Sequence, residues 1–523
     1  MVGISTNDFV SAQVPAQSGG GSNRMIRRIV SATTVLSLAA VAWARVAGDV
    51  VVAQSTATAS VTFYKDVAPL LQKNCETCHR PGQIAPMSFQ TYESTRPWAR
   101  AIKTAVSSKK MPPWFAEGGA APLLNDRSLK PAEIDVLAKW ADAGAPAGNP
   151  ADAPRPISWP DGGWQIMPDL IVDGPTYNVP AKGIVEWTWF VLPGNFKEDT
   201  WVTSVEVKPS EPAVTHHICL AYIPHHPDTK YNTAIARTVP RDDDGVEIAR
   251  GRGAGAGGGA PAPAPAGAQA GAPSAARAGG APQLPPDFLN TPFGILSRSN
   301  GLEECYEPGR TPADFRPFNA AKLIPAGTDI AVNVHYTPDG KPVTDHVKIG
   351  FTVAKTPPKR RYLALSTTSP SDRRQFAIPP MESNWEAPPA IVTFTRDVEV
   401  VGLMPHMHVR GKAARFYLDQ PDGKSETILD VPHYNFNWQL WYDTSIKVPR
   451  GSKMRVIAWY DNSPGNKFNP NPKATVYYGD QTWEEMHFPS YGIVVDDITL
   501  AQQDVVAAGG IVGGTVRPAP PRN

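Results

Sequence analysis

Short runs of alternating apolar and polar residues recur from Asp169 to about Leu500, with Pro, Gly and Asn between them. Such alternation buries one face of a β-strand, and the breakers end each strand after a few residues. The 55 prolines and 43 glycines among 523 residues agree with this pattern and argue against a helical bundle. The sequence therefore predicts a mostly β body, built as a sandwich or a barrel.

A different pattern precedes the β body. Residues 60–150 indicate a small helical domain that contains a C-x-x-C-H sequence, formed by Cys75, Cys78 and His79. This spacing is the attachment signature of c-type heme. The two thiols form thioethers to the heme vinyl groups, and the histidine becomes an axial ligand of the iron. A thioredoxin-like thiol pair is the alternative, but no βαβ pattern surrounds the motif. We expect one covalent heme c.

The second axial ligand should be a thioether or an imidazole. Met87 lies too near the attachment site to reach across the heme, whereas Met111 has a better distance and lies in an extended Pro-rich loop. We therefore choose Met111, with a core methionine as the alternative. Pro131 and Gly144 bound a predicted closing helix. The arrangement over 54–150 resembles a class I cytochrome c domain.

The amino terminus has the layout of a secretory signal peptide. A short cationic segment begins at Met25, an apolar run of about 16 residues follows it, and small residues precede Gln54. The apolar run is short for a membrane span. We expect translation to begin at Met25 and the protein to be periplasmic or secreted. Cys219 and Cys305 could then form a disulfide, although two buried free thiols are the alternative.

Five histidines are candidate metal ligands. His406 and His408 follow an alternating apolar run, so we expect them on a continuing strand, where residues two apart share a face. His216 and His217 are adjacent, and both can bind one ion only if the strand bulges or one ring uses its other nitrogen. His335 ends a predicted strand before a turn. Taken alone, each could be a solvated or core histidine.

Met486 lies late in the chain, before a predicted strand at 490–495. A thioether beside two imidazoles favours Cu(I) and still admits Cu(II). A buried core methionine is the alternative. The formal net charge is +1, so no broad basic field points to a nucleic-acid partner.

Four short motifs, in order along 165–500, resemble the copper motifs of the ascorbate-dependent type II copper monooxygenases, the family of peptidylglycine α-hydroxylating and dopamine β-monooxygenases. They are Thr215-His216-His217-Ile218, Asn333-Val334-His335-Tyr336, Leu403-Met404-Pro405-His406-Met407-His408 and Asp480-Gln481-Thr482-Trp483-Glu484-Glu485-Met486. The resemblance implies two tandem all-β jelly-roll-like sandwiches with one copper in each.

By the same resemblance, one group of residues would hold an electron-transfer copper: His216, His217 and His335. The other group would hold the catalytic copper that binds O₂: His406, His408 and Met486. The chain departs from the family in its few cysteines, its low-complexity insert and its heme domain. No substrate-anchoring residues are recognisable, so no substrate can be transferred from the family.

These observations predict a multidomain protein in which a small all-α domain precedes the two sandwiches. The expected order is 1–53 leader and signal peptide, 54–150 cytochrome c domain, 151–165 linker, 166–355 amino-terminal sandwich with a disordered insert at 250–286, 356–506 carboxy-terminal sandwich, and 507–523 disordered tail.

The expected activity is hydroxylation of a C–H bond of an unknown organic substrate with O₂. Electrons would come through the heme from an ascorbate-like reductant or another redox protein. One alternative is a non-catalytic electron-transfer or copper-binding protein. A second alternative is an enzyme whose heme accepts electrons from a substrate oxidised at copper.

Overall fold

The computed structural model describes residues 60–183, 185–236, 287–291, 295, 302–369, 375–479, 481–500, 504–507 and 510–512. The predicted signal peptide at 1–53 and the predicted insert at 250–286 lie outside these residues. Strands predominate after residue 170, and most helices precede it. The prediction of a mostly β body is therefore confirmed. No helix in the described part of the chain has the length and apolar character needed to span a bilayer.

The helices that precede the β body are short. The α-helices with described bounds are α1 (Ala68–Asn74), α2 (Tyr92–Thr95), α3 (Ala99–Ser107) and α4 (Pro131–Asp142). A π-helical turn, Phe63–Val67, leads into α1, and 3₁₀ turns occur at Arg96–Trp98, Pro150–Asp152, Asp161–Gly163, Phe288–Asn290 and Arg316–Phe318. The predicted closing helix is α4. Pro131 occupies its first turn, and Glu133 accepts a hydrogen bond from the Lys130 N–H (2.8 Å).

The strands are named in chain order. They are β1 (Leu170–Val179), β2 (Thr188–Leu192), β3 (Thr200–Lys208), β4 (Thr215–Pro224), β5 (Ile235–Ala236), β6 (Cys305–Tyr306), β7 (Ala313–Asp314), β8 (Ala320–Ile324), β9 (Thr328–Tyr336), β10 (Val343–Val353), β11 (Arg360–Thr367), β12 (Ala377–Ile378), β13 (Trp385–Glu386), β14 (Ala390–Thr393), β15 (Val398–Met404), β16 (Gly411–Asp419), β17 (Ser425–Val431), β18 (Tyr442–Val448), β19 (Lys453–Tyr460), β20 (Val476–Tyr477), β21 (Ser490–Val495) and β22 (Gly510–Val512).

One large sheet runs through the whole β body. Its strand order is β1-β10-β3-β8-β11-β21-β15-β18, with β7 beside β3 and β22 beside β11. A five-stranded sheet, β5-β2-β9-β4-β6, packs on its first half, and a second, β13-β19-β16-β17 with β14, packs on the other half. β12 and β20 form a separate pair. Each half is therefore a two-layer sandwich with its own apolar core.

The two halves are joined more closely than a tandem arrangement requires. β8 of the first half pairs in parallel with β11 of the second, at Ala320↔Arg360 and Ala321↔Arg361. The core of the first half also includes Val401 of β15. The two halves are therefore connected by a continuous sheet in addition to the polypeptide linker between them.

The expectation of a disordered tail from 507 is wrong for residues 510–512. These residues form β22, which pairs antiparallel with β11, for example at Leu365↔Val512. Ile511 and Val512 are β-branched, and the end of β11 beyond β8 offers them unpaired backbone groups.

An extended docking segment (114–125) attaches the helical part to the second sandwich. The Glu117 N–H donates to the Asp430 carbonyl (3.0 Å), and the Leu124 N–H donates to the Asp443 carbonyl (2.7 Å). The Trp114 ring packs edge-on against Tyr442 of β18. The segment thus pairs its backbone with β17 and β18 at separate points without forming a continuous strand.

Candidate metal centre

Three of the predicted ligands come together on paired strands of the first sandwich. His216 and His217 lie on β4, and His335 lies on β9 directly opposite His217. The register between the two strands shifts between Thr215 and His217, which is a β-bulge. The bulge solves the problem that adjacent strand residues face opposite ways, because it turns both imidazoles to the same side.

One ring nitrogen from each residue of the three-histidine cluster (His216, His217 and His335) lies within 4.8 Å of the other two. The Nδ1 atoms of His216 and His217 are 3.1 Å apart. Metal–nitrogen bonds of about 2.0–2.1 Å place neighbouring ligand atoms about 3 Å apart, so the spacing suits one shared ion. His335 Nδ1 is buried without a hydrogen-bond partner, as a ligand nitrogen would be.

The electrostatics of the cluster keep its imidazoles neutral. Burial lowers the pKa of His216 to about 4, and burial followed by the neighbouring imidazoles lowers the pKa of His217 and of His335 well below the ordinary value. A neutral imidazole is the form that coordinates a metal ion. These residues are therefore ready to bind an ion at neutral pH.

His406 and His408 lie beside each other, with ring centroids 5.3 Å apart, but not on a strand. The predicted strand through them is wrong, because β15 ends at Met404 and the next residue, Pro405, has no N–H to donate. The His406 Nδ1–H donates to Gln439 Oε1 (2.5 Å), and the His408 Nδ1–H donates to the Glu484 carbonyl (3.3 Å). His408 Nε2 is buried and has no partner. The hydrogen bonds at Nδ1 therefore fix the orientation of both rings, and Nε2 is left available to bind a metal ion.

Glu485 connects this histidine loop to the segment that carries Met486. Its buried carboxylate accepts hydrogen bonds from the backbone N–H groups of His408 (2.9 Å), Arg410 (2.6 Å) and Met486 (3.4 Å). The Met486 carbonyl in turn accepts from the Tyr460 hydroxyl (2.8 Å). The structure therefore brings the backbone of Met486 to the histidine loop, and the role of its sulfur as a ligand stays a prediction.

Two aromatic rings contact both the three-histidine cluster and His408 of the second pair. The Trp187 ring centroid is 5.1 Å from that of His217 and 6.4 Å from that of His408. Phe436 stacks on His216 at 4.7 Å and meets His408 at 6.1 Å. The two groups of histidines therefore share two aromatic neighbours, and they are close enough that His406 also lowers the pKa of His216.

The C-x-x-C-H motif has a local geometry that suits an axial histidine. The His79 Nδ1–H donates to the Met87 carbonyl (3.3 Å), and the ring stacks on Phe89 at 4.2 Å. This hydrogen bond leaves Nε2 free for iron. It also places the Met87 backbone on the Nδ1 side of His79, away from the side where a second axial ligand would bind. Met111 follows α3, and its role as that ligand stays a prediction.

The two thiols of the motif are not paired with each other. Cys75 and Cys78 are free, and burial raises the pKa of Cys75 to about 12. Free thiols at this spacing fit thioether attachment of a heme.

Cys219 and Cys305 are joined in a disulfide between β4 and β6. Their sulfurs also lie within 4.8 Å of a Glu307 carboxylate oxygen. A disulfide has no thiolate to offer, so this group does not suit a metal ion.

Sequence reasoning missed four residues around the histidines: Trp187, Phe436, Glu485 and His487. Trp187 and Phe436 are far from the histidine motifs in the chain, so no local pattern could find them. Glu485 was visible inside the last motif, and only its complete burial shows that it organises the loop. His487 is also buried, and both of its ring nitrogens lack a hydrogen-bond partner that meets ordinary geometry.

No family model matches this chain, and no curated protein matches it. Among solved structures, it aligns with the structure of the infectious bursal disease virus Gx strain, at 10% identity over 68% of this chain and 78% of that chain. The TM-score of 0.15 is too low to support a conclusion about fold or function.

Proposed function

We propose that this protein is an exported copper- and heme-containing monooxygenase, which uses O₂ to hydroxylate a C–H bond of an organic substrate. We also propose that its two sandwiches are of the jelly-roll type and that the helical part is a class I cytochrome c domain. The observation that carries the proposal is the pair of neighbouring histidine groups, with buried imidazole nitrogens that have no other partner.

The residues have separate roles in this proposal. The three-histidine cluster would hold an electron-transfer copper, and His406, His408 and Met486 would hold the copper at which O₂ reacts. When bound, copper supplies O₂ activation and the heme supplies one-electron transfer. Gln439 and the Glu484 carbonyl fix the orientation of the second histidine pair, while Glu485 fixes the loop that carries it.

The surroundings of the histidines support a redox-active metal site rather than a solvent-exposed site for metal storage. Burial lowers the pKa of all five imidazoles and keeps them neutral, with His217 and His408 buried and the other three half-buried. An ascorbate-like reductant or another redox protein would supply electrons at the heme, whose attachment residues are Cys75, Cys78 and His79. The organic substrate is not identified by any residue of the site.

The first test is metal and heme content together with O₂ uptake. The full chain is expressed with c-type heme maturation and loaded with copper, and we expect two coppers and one covalent heme per chain. Replacement of His406 and His408 by Ala should remove one copper and abolish reductant-dependent O₂ uptake without changing the heme spectrum. His433→Ala is the matched control, because that side chain is 77% exposed in the same sandwich. Two coppers and full O₂ uptake in the double variant would contradict the assignment.

A second candidate function is electron transfer without substrate oxidation. Trp187 and Phe436 favour it, because each ring contacts a histidine of both groups. In that case the protein would bind two coppers and exchange electrons with the heme, but reduced protein would not consume O₂ when copper is bound.

A further inference from the structure

Two adjacent histidines lie in the loop between β4 and β5 (225–234), apart from both histidine groups of the proposed copper sites. His225 and His226 follow Pro224, the last residue of β4, and their side chains are 54% and 39% exposed. The three-histidine cluster lies at the other end of the same paired strands, β4 and β9. Asp329 of β9 is beside the loop, and His335 is six positions further on, so at about 3.3 Å per residue the two ends are about 20 Å apart.

A buried carboxylate fixes the ring of His225. Asp329, whose side chain is 7% exposed, has its Oδ2 atom 3.2 Å from His225 Nδ1, and the Tyr231 hydroxyl donates to the same oxygen (2.8 Å). We assign the proton of the neutral imidazole to Nδ1, because a carboxylate can only accept a hydrogen bond. Nε2 is then the nitrogen with a lone pair. A carboxylate that accepts from the opposite ring nitrogen is the usual support of a metal-binding histidine.

His226 and Asp228 already have the spacing of two ligands of one ion. His226 Nδ1 is 3.7 Å from Asp228 Oδ2, and the Asp228 carboxylate is 79% exposed. Bonds of about 2.0–2.2 Å to a histidine nitrogen and a carboxylate oxygen span this gap at an angle of about 125°. The Asp228 N–H donates a long hydrogen bond to the same nitrogen (3.2 Å). An ion can take the place of this bond, because the exposed N–H can donate to water instead.

Contacts with neighbouring segments hold the loop in shape. The His225 N–H donates to the Gly327 carbonyl (2.9 Å). The side chain of Asn290, which is buried, accepts from the Lys230 N–H (2.9 Å) and donates to the Asp228 carbonyl (3.0 Å). The loop backbone is therefore fixed before any ligand binds, which reduces the entropy lost on binding.

We propose that His225, His226 and Asp228 bind one divalent transition-metal ion at the protein surface, with water in the remaining positions. Both histidines lie in the loop, where the rule that turns neighbouring strand residues to opposite faces does not apply. Imidazole suits Cu(II), Ni(II) and Zn(II). The proposal does not depend on the proposed function, since the site is separate from both histidine groups. Its exposure lets the ion exchange with solvent, so the site would collect metal rather than activate O₂.

Nickel binding by the copper-loaded full chain tests the site. Sites of this kind bind Cu²⁺ more tightly than Ni²⁺, so nickel does not displace copper from the two histidine groups. Equilibrium dialysis against Ni²⁺, followed by metal analysis, should show one nickel per chain in addition to the copper. The double variant His225→Ala, His226→Ala should lose this nickel and keep its copper. Equal nickel contents in the two proteins, or no nickel in the unaltered chain, would overturn the proposal.

Single variants test the roles of the two carboxylates. Asp329→Asn should weaken nickel binding about 10–100-fold, because the partner that fixes a metal-binding ring typically contributes that much. Asp228→Ala removes a ligand and should also weaken nickel binding. His433→Ala is the matched control, since it removes a 77% exposed histidine of the other sandwich and should leave nickel binding unchanged. Unchanged affinity in Asp329→Asn would overturn the role given to that carboxylate.

A competition experiment tests the class of ion. An excess of Mg²⁺ should leave the nickel in place, because Mg²⁺ prefers oxygen ligands and the site has two imidazoles. Displacement of nickel by Mg²⁺ would overturn the assignment of the histidines as ligands.

Discussion

Replacement of Glu485 by Ala should disorder the loop that carries the proposed O₂-binding copper site, and it should leave the three-histidine cluster intact. The Glu485 carboxylate is fully buried and accepts close hydrogen bonds from the backbone N–H groups of His408 (2.9 Å) and Arg410 (2.6 Å). The Arg410 guanidinium is also buried, and the carboxylate favours its charge. One side chain therefore orders two neighbouring backbone groups and balances a buried cation.

The size of the effect follows from these contacts. Hydrogen bonds to a charged acceptor contribute about 1.5–3 kcal/mol each. Two such bonds are lost together, but burial raises the pKa of Glu485 to about 7, which offsets part of their contribution near neutral pH. We therefore expect Glu485→Ala to lower the free energy of unfolding by about 2–4 kcal/mol. Glu485→Gln keeps one acceptor oxygen and should lose about half as much.

The assay combines chemical unfolding of the copper-free protein with copper titration of the folded protein. Glu485→Ala should retain tight binding of one copper and lose most affinity for the second. Glu382→Ala is the control, since Glu382 is an exposed carboxylate of the same sandwich and should change stability by less than about 0.5 kcal/mol. Equal stabilities of the Glu485 and Glu382 variants, with two coppers bound to each, would refute the reasoning.

Three further changes test other parts of the structure. Burial raises the pKa of Asp443 to about 6, so ionisation of this carboxyl destabilises the fold above that pH. As the pH falls from 7.5 to 4.5, the free energy of unfolding of the wild type should therefore rise by about 2 kcal/mol relative to that of Asp443→Asn. Thermal or urea unfolding measures this difference. Phe436→Leu should leave copper content unchanged but alter the EPR signals of both sites, because the ring contacts His216 and His408; a change at one site alone would contradict this. Lys322→Met leaves two buried carboxylates without their cation and should lower the free energy of unfolding by about 3–5 kcal/mol, whereas replacement of an exposed lysine should not.

Local spacing carries most of what the sequence could predict. The strand at Ser490–Val495 was predicted from alternation and is present with those bounds. The helix after Pro131 was found from its first-turn proline and ends within two residues of the predicted glycine. Strand geometry alone required either a bulge or the other ring nitrogen of one histidine for His216 and His217 to bind one ion, and the structure has the register shift.

Contacts between distant parts of the chain could not be predicted in this way. Trp187 reaches His408 through a fold that joins two sandwiches, and no pattern near residue 187 indicates it. The pairing of Ala320 with Arg360 likewise depends on which strand edges meet. The alternation of apolar and polar residues along a strand does not indicate which strand will be its neighbour. The error at His406 has a local cause, since the apolar alternation outweighed the effect of Pro405 on the strand.

The shared sheet has a consequence for how this molecule can move. A hinge that opened the two sandwiches would have to break the parallel ladder between β8 and β11 and expose the core that Val401 of β15 shares with the first half. Because this would break backbone hydrogen bonds and expose apolar side chains, clamshell motion is a costly way to change the separation of the two histidine groups. That separation is set when the chain folds, and any gating of chemistry has to come from loops at the rim rather than from the lobes themselves.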